Sequence, residues 1–281
     1  MNEQSAMEGH RRLMAELRTL LPPSAILDAF DEVPRHRFLP GVALEESYRN
    51  RSVATVRDEG KAVSSCSQPS WVARVIGEAG VATGQRVLEI GSGTGWSATI
   101  LARVVGPCGS VVTVDIDQNL VDMTRANLTK FGFAPVSGNL SEEEVRLDKQ
   151  GFGRITTLCQ DGFVPTTIEP VYHAIMVTAM CRDIAPCWHQ QLAEGGRLVL
   201  PLTLLPGLSV MVAFAKRADR LVSRHIELCK AVALRGEGAH EPIEWRHFQL
   251  EAFLHDNAGA AEQTVVQRRH HRLVFSPVEC P

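Results

Sequence analysis

The segment Val87-Leu88-Glu89-Ile90-Gly91-Ser92-Gly93-Thr94-Gly95-Trp96 constrains this chain more than any other. A short apolar run ends in three alternate glycines. A helical pattern then starts, with Trp96, Ile100, Leu101 and Val104 on one face. The spacing predicts strand, tight turn, helix. Glycines in such a turn let the backbone reverse sharply and let a ligand approach the main chain. A second apolar run, Ser110-Val111-Val112-Thr113-Val114, ends at Asp115. A carboxylate at the tip of a second strand can accept from both hydroxyls of a ribose.

The turn does not fit a dinucleotide. That fingerprint needs a small residue at its sixth position, where the helix packs close and its N-terminus holds pyrophosphate. Trp96 stands there. S-adenosylmethionine has no phosphate and carries a positive sulfonium, so it suits a turn with the acids Glu89 and Asp115 nearby. The alternative is a glycine-rich turn in a ligand-free α/β fold, and the paired acid after the next strand argues against it.

Composition sets the outer limits. A chain of 281 residues can hold one large domain, or one domain with an appendage. Its 44% hydrophobic and 22% charged residues are ordinary for a soluble globular enzyme. A formal net charge of -3 lacks the basic excess of a nucleic-acid binder. No apolar run is long enough to span a bilayer, and no N-terminal stretch reads as a signal peptide. The seven cysteines form no C-x-x-C pair, and an odd count argues against a full disulfide framework. Reduced thiols in a cytoplasmic protein are the expectation.

Ahead of the turn, Leu13, Leu17, Leu20 and Leu21 repeat at helical spacing until Pro22-Pro23 stops them. Ser24 can cap a second helix. Val33-Pro34-Arg35-His36-Arg37-Phe38-Leu39-Pro40 reads as a proline-bracketed basic loop: Arg35 and Arg37 are either solvated or help dock an acidic substrate. Residues 41–63 read as polar and irregular. In Ser64-Ser65-Cys66-Ser67-Gln68-Pro69, Ser67 or Gln68 could cap the helix that follows, and Cys66 reads as a small packing residue.

Beyond the turn, a helix is expected over about 118–131, then a long glycine-broken loop over 132–153 whose glutamates form a solvated face. Arg154–Cys159 is a third strand leading to Gln160-Asp161-Gly162. Asp161-Gly162 is either a simple turn or an acceptor for an adenine amino group at a strand's carboxyl end. A fourth strand covers 172–179, with His173 structural. A helix containing Trp188 and Leu192 then ends at Gly195-Gly196. A fifth strand starts at Arg197, and residues 209–216 and 220–229 form a hairpin. The pattern implies an α/β fold with a mixed, mostly parallel sheet covered on both faces. Segments 244–250 and 264–272 could each be strands. The Arg/His cluster in the second reads as a basic surface, since no metal-ligand spacing completes it.

Taken together, Val33–Pro40, Ser67-Gln68-Pro69, Val87–Gly95, Asp161-Gly162 and Gly195-Gly196-Arg197-Leu198-Val199-Leu200-Pro201 resemble, in that order, the protein-L-isoaspartate O-methyltransferases. The resemblance covers roughly residues 8–230. It implies the Rossmann-like doubly wound mixed sheet of a class I methyltransferase, with N-terminal helices and a C-terminal extension. The parts would be 1–80 as helices and substrate lid, 81–230 as the S-adenosylmethionine-binding domain, and 231–281 as the extension. It implies Ser67 as the active-site serine and Ser64, Ser65 and Cys66 as the strip lining the cofactor. Glu89, Gly91, Ser92 and Gly93 would form the cofactor turn. Asp115 and Ile116 would contact ribose and adenine, and Asp161 and Gly162 the adenine end.

The family esterifies the α-carboxylate that isoaspartate exposes in damaged proteins, and the ester collapses to a succinimide. A protein or peptide carrying such a carboxylate is the expected partner, with no nucleic acid, membrane or metal. Three departures stand out: the long 132–153 loop, the tail beyond about Ala231, and Ser65 and Cys66 in place of the usual threonine and isoleucine. Extended members of this kind resemble enzymes that modify ribosomally made peptides, where an ordinary aspartyl ester closes to an aspartimide. A cofactor-binding module without catalysis is the reading from another class.

Overall fold

We describe a computed structural model of the chain, covering residues 3–137, 144–205, 208–236, 248–254 and 271–277. Helix α1 (Glu3–Leu20) buries Leu13, Met14 and Leu17 along one face. Helix α2 (Ala25–Glu32) is capped as expected, its Leu27 N donating to Ser24 Oγ at 3.4 Å. The proline-bracketed stretch is not an open loop. Arg35–Phe38 form a 3-10 turn, with Arg35 and Phe38 buried and Arg37 exposed.

Residues 41–63 are more ordered than expected. They hold α3 (Leu44–Ser47), β1 (Val53–Asp58) and the start of β2 (Lys61–Cys66), the two strands forming a separate hairpin. Both strands are half-buried or exposed over much of their length, so the alternation that betrays a strand is faint.

The central elements follow the sequence pattern: α4 (Pro69–Ala79), β3 (Arg86–Ile90), α5 (Trp96–Val105), β4 (Ser110–Asp115) and α6 (Gln118–Phe131). The 132–153 stretch is not a single loop. It contains β5 (Ala134–Pro135) and β6 (Glu144–Asp148), and β6 pairs antiparallel with β7 (Arg154–Cys159). Glu142 and Glu143 lie outside the described residues, while Glu144 is paired with Arg146 at 2.7 Å. Lys149 places its ammonium 3.5 Å from the centroid of Phe131 and 4.8 Å from that of Phe152, tying this edge to the core.

Next come β8 (Tyr172–Val177), α7 (Pro186–Gln191), β9 (Leu192–Leu205), β10 (Leu208–Arg217) and β11 (Arg220–Leu228). His173 is structural, its Nδ1 accepting from Arg86 N. Helix α7 stops at Gln191, short of the expected Gly195-Gly196 cap. Those glycines lie inside the irregular start of β9, where a Cβ on Gly196 would sit 2.8 Å from Ala193 O and 3.1 Å from His173 O. They allow close strand approach rather than ending a helix. In the tail, the described residues include β12 (Phe248–Leu254) and β13 (His271–Pro277), while 244–247 and 264–270 of the expected strands, with Arg268, Arg269 and His270, fall outside the described residues. Among the described residues, no cluster of His, Cys, Asp and Glu could hold a metal ion.

The large sheet has eleven strands in the order β12-β13-β11-β10-β9-β8-β3-β4-β7-β6-β5. Parallel pairing is confined to the centre, β9-β8-β3-β4-β7. Both wings are antiparallel. This corrects the mostly parallel sheet expected: the expected hairpin of β10 and β11 joins β9 antiparallel, and the unexpected β5 and β6 and the tail strands β12 and β13 add further antiparallel pairs. Alternation along the central strands sends Val87, Ala174 and Val199 to one core, shared with α1, α2, α4 and α5. Leu88, Ile175 and Leu198 go to the other, shared with Trp188 of α7. No described helix is long and apolar enough to cross a membrane. Among the described residues, Cys66, Cys108, Cys159, Cys181, Cys187 and Cys229 form no disulfide.

Candidate active site

From β3 the chain moves outward through β4 to β7, then returns to the other side of β3 as β8 and β9. The order thus reverses between β3 and β8, and a crevice must open outside the carboxyl ends of strands at such a point. A cavity of about 1050 Å³ lies there. The glycine turn forms part of its wall. Gly91 has φ +100°, and a Cβ on it would sit 2.2 Å from Thr178 Oγ1, so no other residue fits. That hydroxyl donates to Ile90 O at 3.0 Å and closes the turn onto the end of β8.

Asp115 stands at the tip of β4 and is only 8% exposed. Its Oδ2 accepts from Gly93 N at 3.3 Å, and its Oδ1 accepts from Asp117 N at 3.2 Å. Burial pushes its carboxyl up, and the backbone donors of Asp117 and Gly93 oppose that. A carboxylate has about four acceptor sites, so capacity remains for a ligand hydroxyl. Glu89 is placed differently. It is fully buried beneath the turn, accepts from Thr113 Oγ1 at 2.7 Å and from the Ser97 hydroxyl, and does not border the cavity. Burial pushes it up to about 7, against the hydroxyls of Ser97 and Thr113 that favour its ionised form.

The other expected residues mostly converge. Ser64, Ser65, Cys66 and Ser67, with Gly91, Ser92, Gly93, Asp115, Ile116 and Gly162, border the one cavity. Asp161 stands behind Gly162 and accepts from Phe163 N at 2.9 Å. Cys66 is buried in the core as well as touching the cavity. Ser67 does not cap α4. Gln68 is the N-cap and makes no side-chain cap bond, while Asn50 Oδ1 accepts from Ser70 N at 3.0 Å. The Ser67 hydroxyl is therefore not committed to the helix.

What fixes Ser67 is Arg35, a role the sequence did not suggest. Arg35 is buried and neither solvated nor aimed at a substrate. Its Nη2 donates to Cys66 O and Ser67 O at 2.9 Å and to Arg51 O at 3.0 Å. Its Nη1 donates to Ser47 O and Arg49 O at 3.1 Å. The guanidinium lies 5.2 Å from the centroid of the Trp96 ring, whose Nε1 donates to Val33 O at 3.1 Å. A large residue at position 96 thus packs the first turn of α5 against the arginine that holds the serine loop. Residues 231–235 of the tail also border the cavity, and nothing in their composition announced it.

The profile of the protein-L-isoaspartate(D-aspartate) O-methyltransferase family matches residues 8–238. The chain belongs to this family. Protein-L-isoaspartate O-methyltransferase of Thermotoga maritima is 32% identical over 180 residues, which are 64% of this chain and 50% of that protein. The chain therefore matches only half the length of the Thermotoga protein. Protein-L-isoaspartate O-methyltransferase 2 of Polaromonas sp. is 30% identical over 236 residues, 82% of this chain and 99% of that protein. The solved structure of a protein-L-isoaspartate O-methyltransferase is similar with a TM-score of 0.69 at 25% identity, covering 88% of this chain and 74% of that one. The fold is thus that of an S-adenosylmethionine-dependent, Rossmann-like methyltransferase, with the family's sequence running from α1 into the segment beyond β11.

Proposed function

We propose that this family member transfers a methyl group from S-adenosylmethionine to the free α-carboxylate of L-isoaspartyl residues in proteins and peptides. The ester then closes to a succinimide with loss of methanol. The observation that supports this most is that Ser67 and Asp115 border the same cavity.

The residues present fit the cofactor. Asp115 offers acceptors where a ribose needs them, and Gly91 leaves the turn open for a close main-chain approach. Ile116, Gly162 and Asp161 would take the adenine end, and Ser64, Ser65 and Cys66 the side facing the acceptor. Glu89 would act from beneath the turn, bracing its supports through the hydroxyls of Ser97 and Thr113. When bound, S-adenosylmethionine supplies an electrophilic methyl group on a sulfonium.

The acceptor needs no general base. An α-carboxyl titrates near ~3.5, so it is ionised at neutral pH. Ser67 would donate a hydrogen bond to one carboxylate oxygen and leave the other aligned in line with the methyl group that the cofactor supplies. Arg35 fixes the backbone of Ser67 during that alignment. A peptide seated over the open side of the cavity would exclude water that competes for the carboxylate.

The direct test supplies labelled cofactor with paired isoaspartyl and aspartyl peptides of varied sequence. The isoaspartyl members should be methylated broadly. Label on a single aspartyl peptide, or on none, would overturn the assignment. Ser67→Ala should lower kcat/KM about tenfold to a hundredfold, the value of a hydrogen bond to a charged group. Binding of S-adenosylhomocysteine, followed by calorimetry, should stay at the wild-type level.

A further inference from the structure

Residues 229–236 leave β11 and cross the carboxyl ends of the parallel strands. Cys229 N donates to Ser209 O at 3.1 Å, Met180 N to Val232 O at 2.7 Å, and Leu234 N to Met180 O at 2.9 Å. Met180 follows β8, so a short parallel bridge fastens the segment near the tip of that strand. Residues 231–235 then border the cavity together with the glycine turn.

Past the bridge, Arg235 reaches the tip of β4. Its Nη1 donates to Asp117 Oδ2 at 3.1 Å, and its Nη2 lies 3.9 Å from Asp115 Oδ1. Gly236 presses on the next strand end: a Cβ there would come within 2.1 Å of Asp161 Oδ2 and 2.8 Å of Ile116 Cδ1. The segment therefore runs from the end of β8 over β4 to β7. It lies across Asp115, Ile116 and Asp161, the three residues assigned to the nucleoside.

We propose that residues 229–236 form a strap that retains the cofactor, and that Arg235 is the positioning residue that holds the strap shut through Asp117. The inference rests on the cofactor assignment above. The two ends of the strap are fastened differently. At β8 the fastening is main-chain hydrogen bonds, which any sequence could make. At β4 it is one side chain, and releasing it lifts the strap from the nucleoside end without disturbing the sheet. Asp117 makes a firm anchor because its other oxygen, Oδ1, accepts from Asn119 N at 3.0 Å as the N-cap of α6. Half-exposed ion pairs are weak as sources of stability. They suit a closure that must open in each turnover.

Stopped-flow release of S-adenosylhomocysteine from the full-length protein tests this. Arg235→Ala and Asp117→Asn should each speed release five- to tenfold. Asparagine keeps the helix cap while removing the charge, so folding is preserved. The double variant should release no faster than Arg235→Ala alone, because that change already removes the contact with Asp117. Arg235→Lys should recover part of the effect. Added salt should quicken release from the wild type and leave Arg235→Ala unchanged. Single variants within twofold of the wild type, or effects that multiply in the double variant, would overturn the strap. A wild type that binds no S-adenosylhomocysteine would instead overturn the cofactor assignment on which the strap depends.

Discussion

Arg35 directs its guanidinium nitrogens at five main-chain oxygens from two stretches of chain, residues 47–51 and Cys66-Ser67. Arg35→Ala would strand buried acceptors and should cost about 3 kcal/mol, read from urea denaturation. Arg35→Lys should recover little, since one ammonium cannot serve acceptors arranged around a planar fork. Glu89 gives a pH signature. Its folded value of about 7 lies above the usual 4.5, so the native state holds the proton more tightly. Its favourable contribution is full below about 4.5 and is lost as pH rises towards 7. Relative to wild type, Glu89→Gln should therefore gain about 2 kcal/mol between pH 5 and pH 8. Parallel stability curves would show that Glu89 titrates normally. At this scale the sequence was legible where a local pattern forces a residue's position. Asp115 follows a strand and three glycines precede a helix, so their meeting at one cavity could be read. Arg35 could not, because its partners are carbonyl oxygens, which every residue carries.

Elements with strong periodicity were read with their ends nearly right. The strand–turn–helix around Gly91 and helix α6 are examples, their apolar faces being set by local spacing. The β1–β2 hairpin escaped because it pairs with itself outside the large sheet and buries little. Helix α7 was drawn too long because Gly195-Gly196 makes the same mark in a sequence whether it ends a helix or bends a strand. The start of α4 shows a cap supplied from a distance: Asn50, on the connection after α3, accepts from Ser70 N and donates to Glu16 Oε1 at 2.9 Å. Asn50→Ala should lower stability by about 1 kcal/mol. Because α4 follows Ser67 directly, the same change should raise KM for the acceptor peptide more than it alters cofactor binding. An unchanged KM would mean that α4 is held by packing alone.

On the scale of the molecule, we propose that the divisions at residues 80 and 230 mark functions: lid, cofactor site and covering segment. They need not mark separate folding units, because Leu17 of α1, Ile76 of α4 and Val199 of β9 belong to one core. Leu17→Ala should cost about 2–5 kcal/mol. It should also shift the far-ultraviolet and tryptophan transitions together, whereas two separated transitions would indicate independent parts. The doubly wound centre was legible because βα units dictate it. In the wings only the β10–β11 hairpin was legible, its strands being neighbours in the chain, whereas β13 pairs with β11 from some fifty residues away. One wing ends in β5, only two residues long, with Pro135 as its second. Proline has no amide hydrogen to offer a neighbour, and two residues give an incoming strand almost no ladder to climb. Among the described residues, that border offers a second copy of the chain only a short template, which disfavours self-association by strand addition, and the aggregation it seeds, on that side.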